Sequence, residues 1–249
     1  MAIHGGPNIE KDGLVFYIDP ANKDSFVPSA STTGVNSLIT NKLITGSATS
    51  TGIYDNVDQG IFDFDGISAR IAFESMDTSS FFNYDEECNF SIWIKQANFN
   101  GNEMHFGSGG YYNGSSTRGM EFSQFSSPTS LSVQMRTNAA LYYVTAVDNA
   151  GFVNNGGDFD WAYFSCNKIN TGGSNSKLEL YVNGVFNAER TDVLDGAISG
   201  LNNNVFGLGG QPDSSTFASK AKIGPIKIYN RALSSKEIET NFHATNRFI

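Results

Sequence analysis

Apolar and polar positions alternate with a period of two along much of the chain. Leu131, Val133 and Met135 alternate with Ser132, Gln134 and Arg136, and Leu178, Leu180 and Val182 with Lys177, Glu179 and Tyr181. Phe90, Ile92 and Ile94 alternate in the same way with Ser91, Trp93 and Lys95. Side chains of a strand point alternately to its two faces, so each run predicts a half-buried strand. Further strands are predicted over 13–18, 60–65, 69–73, 119–125, 141–147, 160–166, 204–208 and 221–229. Between them lie the glycine- and asparagine-rich turn clusters 107–110, 154–157 and 171–175. Asn183-Gly184, between alternating segments, is a type I′ hairpin pair. Residues 29–59 carry the weakest pattern and read as a long loop with one short strand near 41–45.

One helix is predicted, over 234–243. Ser234 can cap it, Glu237 stands three residues on as the reciprocal half of a capping box, and Ile238 and Phe242 share a face. About a dozen strands and one late helix predict an all-β, two-sheet antiparallel jelly-roll sandwich with a short C-terminal helix. No internal repeat or linker interrupts the pattern, so residues 1–249 read as a single domain. Residues 1–12, with Gly5, Gly6 and Pro7, read as an N-terminal arm that contributes little to the fold. Trp93, Phe64, Ile92, Leu180, Val182, Trp161 and Ile228 are the expected core, the two tryptophans supplying large apolar area where the sheets pack.

Composition fits this picture. Only 16% of residues are charged, while 26 are Gly and 20 are Phe, which suits short strands joined by glycine turns rather than long solvated helices. A net charge of −9 speaks against nucleic acid or an anionic membrane as partner. No apolar run approaches the length that spans a bilayer, and the N-terminus shows no basic segment followed by an apolar one. Cys88 and Cys166, far apart and in apolar strand-like segments, read as reduced core thiols of a chain made in a cytoplasm.

Several segments together resemble the laminin-G-like branch of the concanavalin A-like lectin/glucanase superfamily. Phe62-Asp63-Phe64-Asp65-Gly66 is similar to that branch's F-x-F-D-G strand, and Phe90-Ser91-Ile92-Trp93-Ile94-Lys95 to its F-T-I-x-x-W-(I/V)-K strand. Leu180-Tyr181-Val182-Asn183-Gly184 matches its L-Y-V-N-G hairpin. The most specific likeness is the closing stretch from Ile223 to Ile238, which resembles I-G-x-I-x-I-Y-N-R-A-L-S-x-x-E-I. The front of the chain, from His4 to Phe26, resembles the opening of laminin-G-like structural proteins of tailed bacteriophages. Residues 29–52 then depart from that pattern, being rich in Ser and Thr. This narrower resemblance implies a virion protein, a capsid decoration or head or tail appendage present in many copies, with other virion proteins as partners and the arm as an anchor. The lectin-like fold implies the alternative, an adhesin that recognises host surface glycans.

Candidate chemistry is sparse. The glucanase members carry E-x-D-x-x-E on a strand, two carboxylates serving as nucleophile and acid/base. The nearest string here, Glu74-Ser75-Met76-Asp77-Thr78-Ser79, lacks the final acid, and Glu86 and Glu87 are adjacent and would face opposite ways. No catalytic residue is assigned, and the expected protein is not an enzyme. His105 reads as a strand or loop residue. The resemblance implies calcium at one rim, on carboxylates and carbonyls, with Asp55 and Asp58 as candidate ligands. Asp63, Asp65, Asp148, Asp158 and Asp160 are further oxygen donors, although acids between strands usually make Asx turns or cap N–H groups. For a sugar, Tyr111, Tyr112 and Asn113 offer an aromatic platform with an amide beside it after a glycine-rich loop. In the doublets Tyr142-Tyr143 and Phe81-Phe82, alternation alone would place one ring inward and one outward.

Overall fold

The computed structural model describes residues 8–22, 25–27, 34–39, 43–48, 54–55, 60–73, 86–96, 101–108, 119–124, 130–136, 141–147, 158–194, 206–211 and 217–249. Two antiparallel sheets pack face to face. Sheet one runs in the order β15 (Val185–Leu194), β14 (Asn175–Val182), β13 (Phe159–Gly172), β8 (Cys88–Gln96), β17 (Ala221–Tyr229), β6 (Ile61–Asp63), β5 (Tyr54–Asp55). β1 (Leu14–Ile18) also pairs with β17, sharing its free edge with β6. The sharing is possible because the register of β17 against β8 slips between Ile223 and Ile226, where Gly224 and Pro225 sit. Sheet two runs β12 (Leu141–Thr145), β11 (Leu131–Arg136), β10 (Gly119–Gln124), β9 (Glu103–Ser108), β16 (Phe206–Leu208), β7 (Ile71–Phe73), β4 (Leu43–Ala48), β3 (Gly34–Asn36), β2 (Phe26–Val27). No described helix is long and apolar enough to cross a membrane.

The inward sets of the alternating strands fill the space between the sheets. Phe90, Ile92 and Ile94 of β8 meet Val133, Met135, Phe106 and Phe206 from the facing sheet in one buried cluster. Phe106 and Phe206 lie 5.5 Å apart, centroid to centroid. Cys88 and Cys166 are buried free thiols in this cluster, as their apolar settings imply. The β14–β15 hairpin turns at Asn183 and Gly184, both at positive φ (51° and 83°), as a type I′ pair requires.

A second cluster lies on the outer face of sheet one, beneath helix α1 (Ser235–Thr245). The capping box forms as the sequence predicts: the Ser234 hydroxyl accepts from the Glu237 N–H, and the Glu237 carboxylate accepts from the Ser234 N–H at 2.7 Å. Arg231 grips the same carboxylate at 2.6 Å, and that bond together with the Ser234 contacts holds Glu237 down to a pKa of about 2. Trp93 belongs to this second cluster rather than to the space between the sheets, which corrects the expectation. Its ring stacks on Phe242 (5.6 Å), and its Nε1–H donates to Thr245 at 2.9 Å. Alternation fixes which residues share a face, not which face is inward, and here the helix supplies a second interior. Trp161 is only half-buried, stacked on Phe248 at 4.1 Å.

Two further expectations change. Residues 29–59 contain β3, β4 and β5 rather than one strand; β4 pairs with β7 over Gly46, Ser47 and Ala48, a stretch whose residue types show no alternation. The predicted arm is docked from Ile9 onward: the Glu10 N–H donates to Asn241 Oδ1 at 2.8 Å, and the Tyr229 hydroxyl donates to the Glu10 carbonyl at 3.0 Å. Residues 1–7 lie outside the described residues. β9 was not among the predicted strands, since its glycine at 107 reads as turn and its polar positions Glu103 and His105 are themselves buried.

Candidate functional site

At one side of the sandwich the two sheets end on β12 and β15, and a groove runs between these edge strands. It has a volume of about 470 Å³ and is lined by Tyr143, Val144, Thr145, Val147 and the stretch 188–192 of β15. Alternation along β12 puts Tyr142 into the core, 6% exposed, and Tyr143 out into the groove, 50% exposed. This is the one-in, one-out arrangement expected of the doublet.

On the facing strand, Arg190 and Asp192 are two apart and so project to the same side. Arg190 Nε donates to Asp192 Oδ1 at 2.6 Å and Nη2 to Oδ2 at 3.0 Å, a bidentate fork. Each partner holds the other charged: the bond to Asp192 raises the Arg190 pKa, and the bond from Arg190 lowers that of Asp192. The guanidinium carbon lies 5.5 Å from the ring centroids of both Tyr142 and Tyr143, within cation–π range. An Arg stacked on two rings and forked to a carboxylate has few rotamers left, so the polar groups of the groove are fixed in advance.

Asn187 fixes the width of the groove. Its Oδ1 accepts from the Val147 N–H at 2.7 Å, and its Nδ2 donates to the Val147 carbonyl at 2.8 Å. The side-chain amide thus mimics a strand and pins the segment after β12 to β15, joining the two sheets where no ladder does. An exposed phenol ring, a carboxylate acceptor, guanidinium donors, Thr191 and Thr145, whose hydroxyl also meets that of Ser132 at 3.0 Å, thus line one solvent-open surface. Such a surface suits a ligand with one apolar face and a rim of hydroxyls.

Most of the site residues expected from the sequence lie outside the described residues. Tyr111, Tyr112, Asn113 and Asp58 lie outside the described residues, as do Phe81, Phe82 and Asp148. Asp55 is in β5, opposite Ile61, and its side chain is outside the described residues. Among the described residues no group of three or more His, Cys, Asp or Glu side chains converges as metal ligands. Asp65 caps the turn after it, accepting from the N–H groups of Ile67, Ser68 and Ala69, and Asp160 pairs with Lys95 at 2.7 Å. Both thus act as turn and surface acids. His105 is fully buried on β9, with Nδ1 2.8 Å from the Ser219 hydroxyl, and burial pushes its pKa down to about 3. It is neutral at physiological pH. Arg190, Asp192 and Asn187 were not singled out from the sequence. Their i, i+2 spacing was readable on β15, but nothing local tells that β12 lies across from it.

Comparison with known proteins bears on the fold. A family model of the concanavalin A-like lectin/glucanases superfamily matches residues 73–239. No curated protein matches the sequence. Among solved structures, the binding domain of botulinum neurotoxin DC in complex with SialylT superposes with a TM-score of 0.63 at 14% identity, over 95% of this chain and 52% of that one. The botulinum neurotoxin serotype D ligand binding domain in complex with N-acetylneuraminic acid gives 0.60 at 11% identity, over 93% and 50%. The NanB sialidase of Streptococcus pneumoniae gives 0.55 at 17% identity, over 73% and 27%. The chain spans about half the length of the neurotoxin chains and about a quarter of the sialidase chain. At such identities the likeness is one of fold.

Proposed function

Because the chain belongs to the concanavalin A-like lectin/glucanases superfamily, we propose that it is a carbohydrate-binding module that holds glycans in the β12–β15 groove without cleaving them. The observation that carries this reading is the half-exposed Tyr143 ring beside the Arg190–Asp192 fork. A pyranose has a face of C–H groups that packs on an aromatic ring and equatorial hydroxyls that need both donors and acceptors. The groove supplies all three on strands whose relative position Asn187 clamps. Two structural neighbours, each matched over about half its length, are described as complexes with SialylT and with N-acetylneuraminic acid, a likeness of fold that is consistent with sugar binding here. A glycan array probed with the wild-type chain and with Tyr143→Ala tests the reading. Specific signals lost in the variant support it, and an array blank for the wild type refutes it.

A second reading is that the chain is a multi-copy structural subunit of a bacteriophage particle, packed on other virion proteins. The front segment from His4 to Phe26 favours it through its likeness to phage proteins. Mass spectrometry of purified particles tests this role, which is compatible with glycan binding by the same chain.

A further inference from the structure

We infer that the groove selects neutral, hydroxyl-rich glycans and discriminates against sialylated ones; this rests on the glycan-binding reading above. An anionic sugar entering the groove would be favoured by an uncommitted cation, and the described lining offers none. Among the described residues Arg190 is the only basic one lining it, and both Nε and Nη2 already donate to Asp192. The remaining N–H groups are free to donate, but the charge behind them is balanced by a carboxylate on the same fork. Asp192, with its side chain 69% exposed, projects its negative charge toward the solvent side, and Glu189 adds a second negative charge to the lining. Arg190, Asp192 and Glu189 therefore sum to one net negative charge, in a chain whose own charge is −9.

A carboxylate brought to this lining meets repulsion from Asp192 and Glu189 that the engaged guanidinium does not offset. A neutral sugar meets no such penalty. Each of its hydroxyls can donate to an Asp192 oxygen while accepting from a remaining Arg190 N–H or from Thr191, since a hydroxyl is donor and acceptor at once. Its C–H face meanwhile covers the exposed ring of Tyr143. The fork thus presents a fixed donor beside a fixed acceptor, the pattern that two neighbouring hydroxyls complement. The fold likeness to sialic-acid complexes accordingly does not extend to ligand charge.

The test uses paired glycans that differ only in charge: N-acetyllactosamine oligosaccharides with and without a terminal sialic acid, titrated into the full chain at low ionic strength. The neutral member of each pair should bind about five- to tenfold more tightly. The gap should shrink at 0.5 M salt, because the discriminating charges are exposed and screened. Asp192→Asn removes a charge and loosens the fork at an exposed position, so it should narrow or reverse the preference while the melting temperature stays put. Sialylated members that bind as tightly as the neutral ones, or more tightly, overturn the selectivity but leave the groove as a glycan site. Binding of either member that survives Tyr143→Ala unchanged, or no binding by any pair, overturns the site and the selectivity with it.

Discussion

Lys227 gives the sharpest handle on the energetics of the second interior. It projects from β17 under the helix and the C-terminal segment and is fully buried. Its ammonium lies 5.3 Å from the Tyr163 ring centroid and 5.8 Å from that of Tyr17, and makes a 3.4 Å contact with the Thr245 hydroxyl. Asp19 favours the charged form, but Arg247 holds that carboxylate bidentately at 2.7 and 3.0 Å and opposes it. Burial dominates and pushes the lysine pKa down from 10.5 to about 7. The unfolded chain therefore binds a proton that the folded chain gives up between pH 7 and 10.5, so stability rises with pH across that window and is flat below it. From pH 7 to 9 the rise should be about 2 kcal/mol. Above pH 10 the trend should reverse, because burial holds the Tyr17 and Tyr229 phenols protonated in the fold. Lys227→Met keeps the stem and removes the charge, and should raise stability at pH 7 by about 2–4 kcal/mol while flattening the pH 7–9 rise. Urea denaturation at pH 6, 7, 8 and 9 measures both. A wild-type protein with no rise across this range, together with a Met variant less stable than it, would refute the reasoning.

The remaining predictions concern packing and chemistry. Trp93→Ala should cost about 3–5 kcal/mol in urea melts, since its ring is enclosed by Phe242, Phe248 and Tyr163. Deleting residues 1–11 removes the Glu10 bonds to Asn241 and Tyr229 and the packing of Ile9, and should lower the melting temperature by roughly 5–10 °C. An unchanged melting temperature would show those contacts to be idle. Gly209→Ala should destabilise the protein strongly, because a Cβ there would lie 2.1 Å from the Phe64 ring at a φ of +78°. The purified chain should release no reducing sugar from neutral or sialylated oligosaccharides.

Those strands whose alternation is strong were legible in the sequence, and β17 and β11 match the predicted bounds residue for residue. The capped helix was legible too, because its signals are local and chemical. Pairing partners that act at a distance were not. β4 has Thr45, Gly46, Ser47 and Ala48 where β7 needs only a backbone edge, so it carries no hydrophobic signature. Trp93 is buried as expected, but under the helix rather than where the sheets pack, since period-two reading cannot tell an interior under a sheet from one between sheets. The groove was missed for a similar reason. Alternation implied that one ring of the Tyr142-Tyr143 doublet faces outward without saying which, and the value of Tyr143 depends on Arg190 and Asp192, 47 and 49 residues on, reaching it across the gap between two sheet edges. The sequence singled out the doublet on β12 but nothing on β15, and only the topology brings the two strands together.

The central claim is that the β12–β15 groove binds glycan, and a titration followed by nuclear magnetic resonance tests it most directly. An isotope-labelled chain titrated with a neutral glycan selected from the array should show saturable shifts at the amides of residues 141–147 and 187–192. Tyr143→Ala, at an exposed position, should weaken the affinity at least about tenfold, or ~1.4 kcal/mol, without altering the melting temperature. Shifts confined to other surfaces, or an affinity indifferent to Tyr143, would contradict it.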